Sequence, residues 1–361
     1  MKVYLYVFLL FFVLGGCIGS YIKQPLKKAT FVWWPNLLHR INNVELYRYF
    51  QSKFKQYGYH LETQNIHPPQ NSEIVIWGYP HGDLSDISPK QYLVGWLMES
   101  PLSLTQPLEK KQQQKFDLIL TYRKDLVDNK KSFFVRIFTR IGNIKNEYWH
   151  ESKSILVSQI ASYASEYASD SSYNERQTAA KWFLQNAPLD FKFYGNGWQK
   201  IKANLSKKDQ VMFDARYGGY VLDKLKAVSK SKFVLAYENA IQTDYVTEKI
   251  YDVLQAGSVP IYWGAPNIDQ YVPKNCFINK NDFKSYEELY AFLKNMNDET
   301  YETYRQCAYH FIQQKQLKQT AIIDRVVHYI FKKKEKTLYD LWHQFWSDTL
   351  SFLHISEREY I

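Results

Sequence analysis

The 361-residue chain contains no Asp-x-Asp, no Gly-x-Gly-x-x-Gly and no Walker-type Gly-x-x-x-x-Gly-Lys loop. The first absence removes a common carboxylate clamp for a divalent ion. The other two disfavour a dinucleotide enzyme and an NTPase. Cysteine is scarce: Cys17, Cys276 and Cys307 are all there is. That allows one disulfide in the part after the apolar N-terminus but no disulfide framework, and no Cys-x-x-Cys or Cys/His cluster offers a metal site. Acidic residues are fewer than basic ones, 36 against 46, for a net charge of +10. The excess favours an anionic partner without choosing among nucleic acid, a phosphorylated substrate and a membrane surface. No zinc-finger spacing and no repeated basic-aromatic module is present, which disfavours nucleic acid. There is no repeat at solenoid period and no long low-complexity stretch.

What is plentiful is aromatic surface. Tyr (30) and Phe (22) lift the aromatic share to 17%. Two readings stand side by side: rings that pack on the C–H face of sugars, or compositional bias with an ordinary core, which the abundance of Lys, Asn, Gln and Ile fits. A 45% hydrophobic chain of this length supports two or three domains.

Residues 3–22 carry no charge, with Lys2 before them and Lys23, Lys27 and Lys28 after. Twenty helical residues span about 30 Å, enough to cross a hydrocarbon core. The run is expected to be a transmembrane signal-anchor. A lipoprotein signal is the alternative, because Leu14-Gly15-Gly16-Cys17 resembles a lipidation box; an ordinary cleaved signal is the third reading. The flanking lysines barely fix the orientation.

The rest reads as two α/β halves, residues 30–154 and 155–320, with an amphipathic tail, 321–361. In the first half, strands are expected at 31–34, 73–78, 92–98 and 116–121, with a helix over 44–57. Helix-length spacers between strands point to parallel sheets. The second half is expected to hold a strand at 155–160, a Ser/Ala/Tyr-rich loop at 162–174, a helix at 176–185 and a strand at 191–194.

Residues 232–264 form one strand–helix–strand unit. The strand Lys232–Tyr237 runs into Glu238-Asn239. Asp244 is expected to cap a helix that runs to about Gln255 with Val246, Ile250, Val253 and Leu254 on one face. Gly257 stops it, and 258–263 is the next strand. Ligands of such units bind beyond the strand ends, against the helix N-terminus, where free N–H groups and the dipole suit phosphate. Lys249 adds a cation, Glu248 suits two neighbouring hydroxyls of a ribose, and Tyr245 suits a ring. The competing reading makes Glu248 and Lys249 a solvated helix face and Asp244 a mere cap.

These residues carry a family resemblance. Phe233 to Asn239 (FVLAYEN), Asp244 to Ile250 (DYVTEKI) and Gly257 to Gly264 (GSVPIYWG) are similar to the donor-binding signature of α-1,3/4-fucosyltransferases, glycosyltransferase family 10. Upstream, Met98-Glu99-Ser100-Pro101, Phe116-Asp117 and Thr121-Tyr122-Arg123 match the family pattern in order, so the resemblance covers roughly residues 30–315.

The resemblance implies a GT-B architecture, two Rossmann-like domains facing a cleft, with GDP-β-L-fucose in the second. It implies inverting transfer of fucose to a glycan hydroxyl, O3 of GlcNAc, with no cofactor and no metal. Tyr245, Glu248 and Lys249 would contact the guanosine ribose and phosphates, Glu238 and Asn239 would line the same mouth, and Arg176 would meet the diphosphate. Glu99, at the end of an apolar strand, would be the general base. An inverting transfer needs such a base, and cations on the leaving group. Lys224, Lys230 and Lys232 read as solvated or structural, with one able to reach a phosphate. Asp83 and Asp86 read as turn residues or acceptor contacts. An inactive nucleotide-sugar or glycan-binding relative, or a GT-B transferase for another nucleotide sugar, is the alternative. A membrane site of action follows, Golgi-type in a eukaryote or the inner membrane in a bacterium.

The tail has two apolar stripes, Ile322 to Phe331 and Leu338 to Leu353. Packing on the catalytic halves or lying on a membrane surface would each bury them. Asn204-Leu205-Ser206 is the only glycosylation sequon.

Overall fold

The computed structural model describes residues 25–32, 45–78, 84, 87–97, 113–134, 146–163, 171–316 and 323–335. Glu99, Cys17, Asp83, Asp86, the apolar run 3–22 and the stripe beyond residue 335 lie outside them. Among the described residues no helix is long and apolar enough to cross a membrane.

Two wholly parallel sheets organise the chain. The first has the order β2-β1-β3-β4-β5-β6, with β1 Lys27–Val32, β2 Tyr59–Thr63, β3 Ile74–Trp77, β4 Tyr92–Leu97, β5 Leu118–Thr121 and β6 Ser132–Phe134. Helix α1, Glu45–Gln56, connects β1 to β2. The second sheet has the order β11-β10-β9-β7-β8. Its strands are β7 Ile155–Ile160, β8 Phe191–Tyr194, β9 Ser231–Tyr237, β10 Val259–Trp263 and β11 Ile278–Asn279. Strand β3 is buried along its whole length, and β9 and β10 are buried except at Lys232 and Trp263, as parallel strands covered on both faces should be.

Sequence periodicity misplaces three features. The first strand is expected at 31–34 but begins at Lys27, because Ala29 to Val32 pair with Ile74 to Trp77 and Lys27 pairs with Tyr59. Strand β2, YHLET, escapes an apolar-run search, since only alternate residues face the core. The helix expected at 176–185 begins at Ser171, so Arg176 lies in its second turn instead of opening it.

In the second half, helices α2 Asn146–Trp149, α3 Ser171–Asn186, α4 Gln199–Lys202, α5 Lys207–Arg216, α6 Lys224–Ser229, α7 Glu248–Gln255, α8 Tyr286–Asn295 and α9 Asp298–Gln316 flank the sheet. One face packs on α3, α5 and α8 through Phe183, Phe213 and Leu289. The other packs on α7 and α9 through Ile250, Leu254 and Ile312. Gly257 has φ +71°, and an added Cβ would lie 3.0 Å from the Trp149 ring; only glycine ends α7 there. A disulfide joins Cys276 to Cys307 and ties the segment after β10 to α9.

After α9 the chain returns to the first half. Helix α10, residues 323–335, joins the core of the first sheet through Ile323, Val326, Val327, Ile330 and Phe331. Phe331 stacks on Tyr57 with centroids 4.1 Å apart, and Asp324 pairs with Lys53 at 2.8 Å and accepts from Tyr49 at 3.0 Å. This part of the first apolar stripe is therefore buried by protein.

Candidate functional site

A cavity of about 440 Å³ opens at the carboxyl ends of β7 and β9. Its wall includes Gln159 and Ile160 from β7, Ala236 and Tyr237 from β9, Arg176 from α3, Lys224 from α6 and Glu248, Lys249 and Asp252 from α7. Strand ends place the first four. The turn after β9 then brings Asn239 to the same wall.

Arg176 is 4% exposed, and two of its guanidinium nitrogens donate to the Tyr237 carbonyl. Its Nη2 also donates to Asn239 Oδ1 at 2.8 Å. A buried guanidinium needs such partners, and they fix its plane at the cavity wall.

Glu238 is fully buried and accepts from the Thr247 amide at 2.8 Å and from the Thr247 hydroxyl at 2.6 Å. The hydroxyl in turn accepts from Lys249 Nζ at 2.9 Å. Lys249 Nζ stands 3.3 Å from Glu238 and 3.5 Å from Glu248. Close packing around Glu238 requires Gly264, where a Cβ would come within 2.5 Å of Glu238 Cγ.

Electrostatics separates the two carboxylates. Burial pushes Glu238 above the usual carboxylate range, against the pull of Lys249. Desolvation acts the same way on Glu248, but Lys249 and Lys224 outweigh it and hold its pKa down to about 2. Desolvation opposes the charge on Lys249, and Glu248 with Glu238 more than restores it, so its pKa is raised. At neutral pH the cavity therefore presents a charged lysine, an arginine and an ionised carboxylate that can only accept.

The expected residues divide. Arg176, Asn239, Glu248 and Lys249 meet on one wall. Glu238 lies behind it and touches Lys249. Tyr245 is 1% exposed, with its ring 5.5 Å from Tyr122 of the first half, and does not line the cavity. Asp244 does not cap α7. Thr247 occupies the N-cap position with its hydroxyl turned to Glu238, and Asp244 has φ +68°. The Asp244 carboxylate instead accepts from Lys124, Tyr271 and Asn267 at 2.7–2.8 Å. Of Lys224, Lys230 and Lys232, which read from the sequence as solvated or structural with one able to reach a phosphate, Lys224 belongs to the wall; Asp223 caps α6 and puts Lys224 in its first turn.

Two parallel α/β halves joined by the returning helix 323–335, with a cavity carrying charged side chains at the strand ends of the second, make a GT-B-like fold. Its solved neighbours agree. An α1,3-fucosyltransferase crystal structure aligns with TM-score 0.51 at 18% identity over 79% of this chain and 82% of that one. The Anabaena protein HepE, solved with UDP-glucose, aligns with TM-score 0.57 at 11% identity over 85% and 99%. At these identities the likeness is one of fold.

The family profile described as "Glycosyltransferase family 10 (fucosyltransferase) C-term" matches residues 152–342, just over half of the chain. The chain belongs to glycosyltransferase family 10. The mouse 4-galactosyl-N-acetylglucosaminide 3-alpha-L-fucosyltransferase 9 is 29% identical over 272 residues, 70% of this chain and 65% of that protein. The alpha-(1,4)-fucosyltransferase of Arabidopsis thaliana is 43% identical over 86 residues, 22% of this chain and 21% of its own. The chain thus spans just under two thirds of the length of the mouse relative.

Proposed function

We propose that this chain is an inverting fucosyltransferase that moves L-fucose from GDP-β-L-fucose to O3 of GlcNAc in a glycan, leaving an α-1,3 linkage. The observation that carries the reading is the convergence of Arg176, Lys249 and Lys224 with the ionised Glu248 on one cavity at the strand ends. Membership of family 10 supports the sugar, and the likeness to the mouse 3-alpha-L-fucosyltransferase supports the linkage.

The cations meet the diphosphate, and Glu248 accepts from the ribose hydroxyls. In the reaction the acceptor oxygen attacks the anomeric carbon of fucose while the bond to the diphosphate breaks. The leaving GDP takes up negative charge that Arg176, Lys249 and Lys224 offset. Glu99 removes the acceptor proton, and the product carries the inverted anomer. Asn239 positions Arg176, while Glu238 holds Lys249 and the start of α7. Tyr245 acts from behind, by seating the loop before α7. On this reading no divalent ion is needed, because side-chain cations supply the charge. Residues 3–22 anchor the chain in a membrane by a single pass, and the cleft faces the compartment that holds GDP-fucose. Nucleic acid is not a partner.

The test follows GDP release from GDP-fucose by the full chain in detergent, with and without N-acetyllactosamine, in EDTA, beside Glu99→Gln. Acceptor-dependent release that survives EDTA and drops by about 10²-fold or more in Glu99→Gln is expected. A folded protein that does not bind GDP would refute the donor site.

A further inference from the structure

A second cavity of about 490 Å³ shares no lining residue with the first. It opens past the ends of β10 and β11, at the sheet edge, between α8 and α9. Phe277 forms buried floor. Phe283 and Phe292 meet in its wall with ring centroids 5.2 Å apart at 51°, and Phe292 leaves 39% of its surface exposed. Asp269, Lys274, Asn279, Asp282 and Tyr304 bring the polar groups of the lining.

This combination narrows the ligand. Two carboxylates repel phosphate and nucleotide, and Lys274, the lining cation, already lies 3.9 Å from Asp269. A wholly apolar ligand would strip water from the carboxylates without replacing their hydrogen bonds. An uncharged molecule with one C–H face and a rim of hydroxyl donors satisfies both walls: the face packs on the rings and the hydroxyls donate to carboxylate and amide oxygens. A hexopyranose has that form.

We propose that this cavity is a second sugar site, which holds a hexopyranose of the acceptor chain apart from the residue that reacts. The choice of acceptor glycan as the source rests on the transferase reading above; the chemistry of the cavity does not.

The experiment titrates the full chain in detergent with oligo-N-acetyllactosamine and, separately, with GDP, by calorimetry. Wild type is compared with Phe292→Ala and Asp282→Asn, and thermal unfolding reports whether each variant folds. Both variants are expected to keep wild-type GDP affinity and to lose oligosaccharide affinity by about fivefold. Folded variants that bind the oligosaccharide like wild type overturn the second site, as does a wild-type protein that binds GDP but no oligosaccharide. Absent GDP binding with the oligosaccharide losses intact overturns the donor reading and leaves the second site standing. Should Phe292→Ala unfold, Phe292→Leu keeps the apolar volume, removes the ring and is read in the same way.

Discussion

Lys124, in the segment after β5, donates to Asp244, ahead of α7, at 2.8 Å across the two halves of the molecule. Asp244 is 4% exposed, so its charge depends on such donors. Next to it, the Tyr122 hydroxyl donates to Gln242 at 2.9 Å, and the Tyr122 ring lies against Tyr245. The loop that delivers Glu248 and Lys249 is thus seated on the first half.

Lys124→Met should therefore loosen that loop. Asn267 and Tyr271 still bond Asp244, and Lys124 is half-exposed, so the expected loss is about 1 kcal/mol of unfolding free energy. Lys124→Arg should recover most of it. Denaturant unfolding of the three proteins checks the order.

Lys249→Ala should weaken GDP binding by about tenfold or more, since a charge-assisted contact to phosphate is lost. Calorimetry with GDP reads this directly. Glu238→Gln keeps the acceptor oxygen for Thr247 but removes the charge beside Lys249, and should give a smaller loss.

Lys153 makes stability rise with pH. Burial and the nearby Arg305, only partly offset by Glu151, lower its pKa to about 7 from the ordinary 10.5. Its Nζ donates to the Ser229 carbonyl at 2.6 Å. Below about 7 both folded and unfolded states hold the proton. Between that value and 10.5 the unfolded chain still holds it and the folded one has shed it, so folding gains as pH rises. Lys153→Met should flatten that rise in urea unfolding measured from about pH 6.5 to 10.

The Cys276–Cys307 bridge closes a loop of sequence separation 31. Reduction, or Cys307→Ser, should cost about 4 kcal/mol through the freed unfolded chain. Unfolding with and without reductant tests it, and a variant insensitive to reductant serves as control.

Much of the second half is legible in the sequence because its signals are local. The strand Ser231–Tyr237, the helix to Gln255, the stop at Gly257 and the strand to Trp263 each follow from an apolar run, a periodic face or a backbone that only glycine tolerates. The family motif places Lys249 and Glu248 at the same helix start. These are properties of short segments: helical or strand periodicity and the tolerance of a positive φ are set by residues close together in the chain.

Tertiary structure decides what those residues face. Asp244 looks like a helix cap by position, yet Lys124, 120 residues away, and Tyr271 take its carboxylate. Tyr245 looks like a ligand-stacking ring, yet Tyr122 buries it. Glu238 and Glu248 are the same side chain, and only their surroundings separate a buried support from an ionised wall residue. Strand β2, the place of Lys224 in the cavity wall and the return of helix 323–335 to the first sheet likewise depend on partners distant in the chain. Burial, desolvation and charge pairing are sums over neighbours in space, so they became known only when the neighbours were.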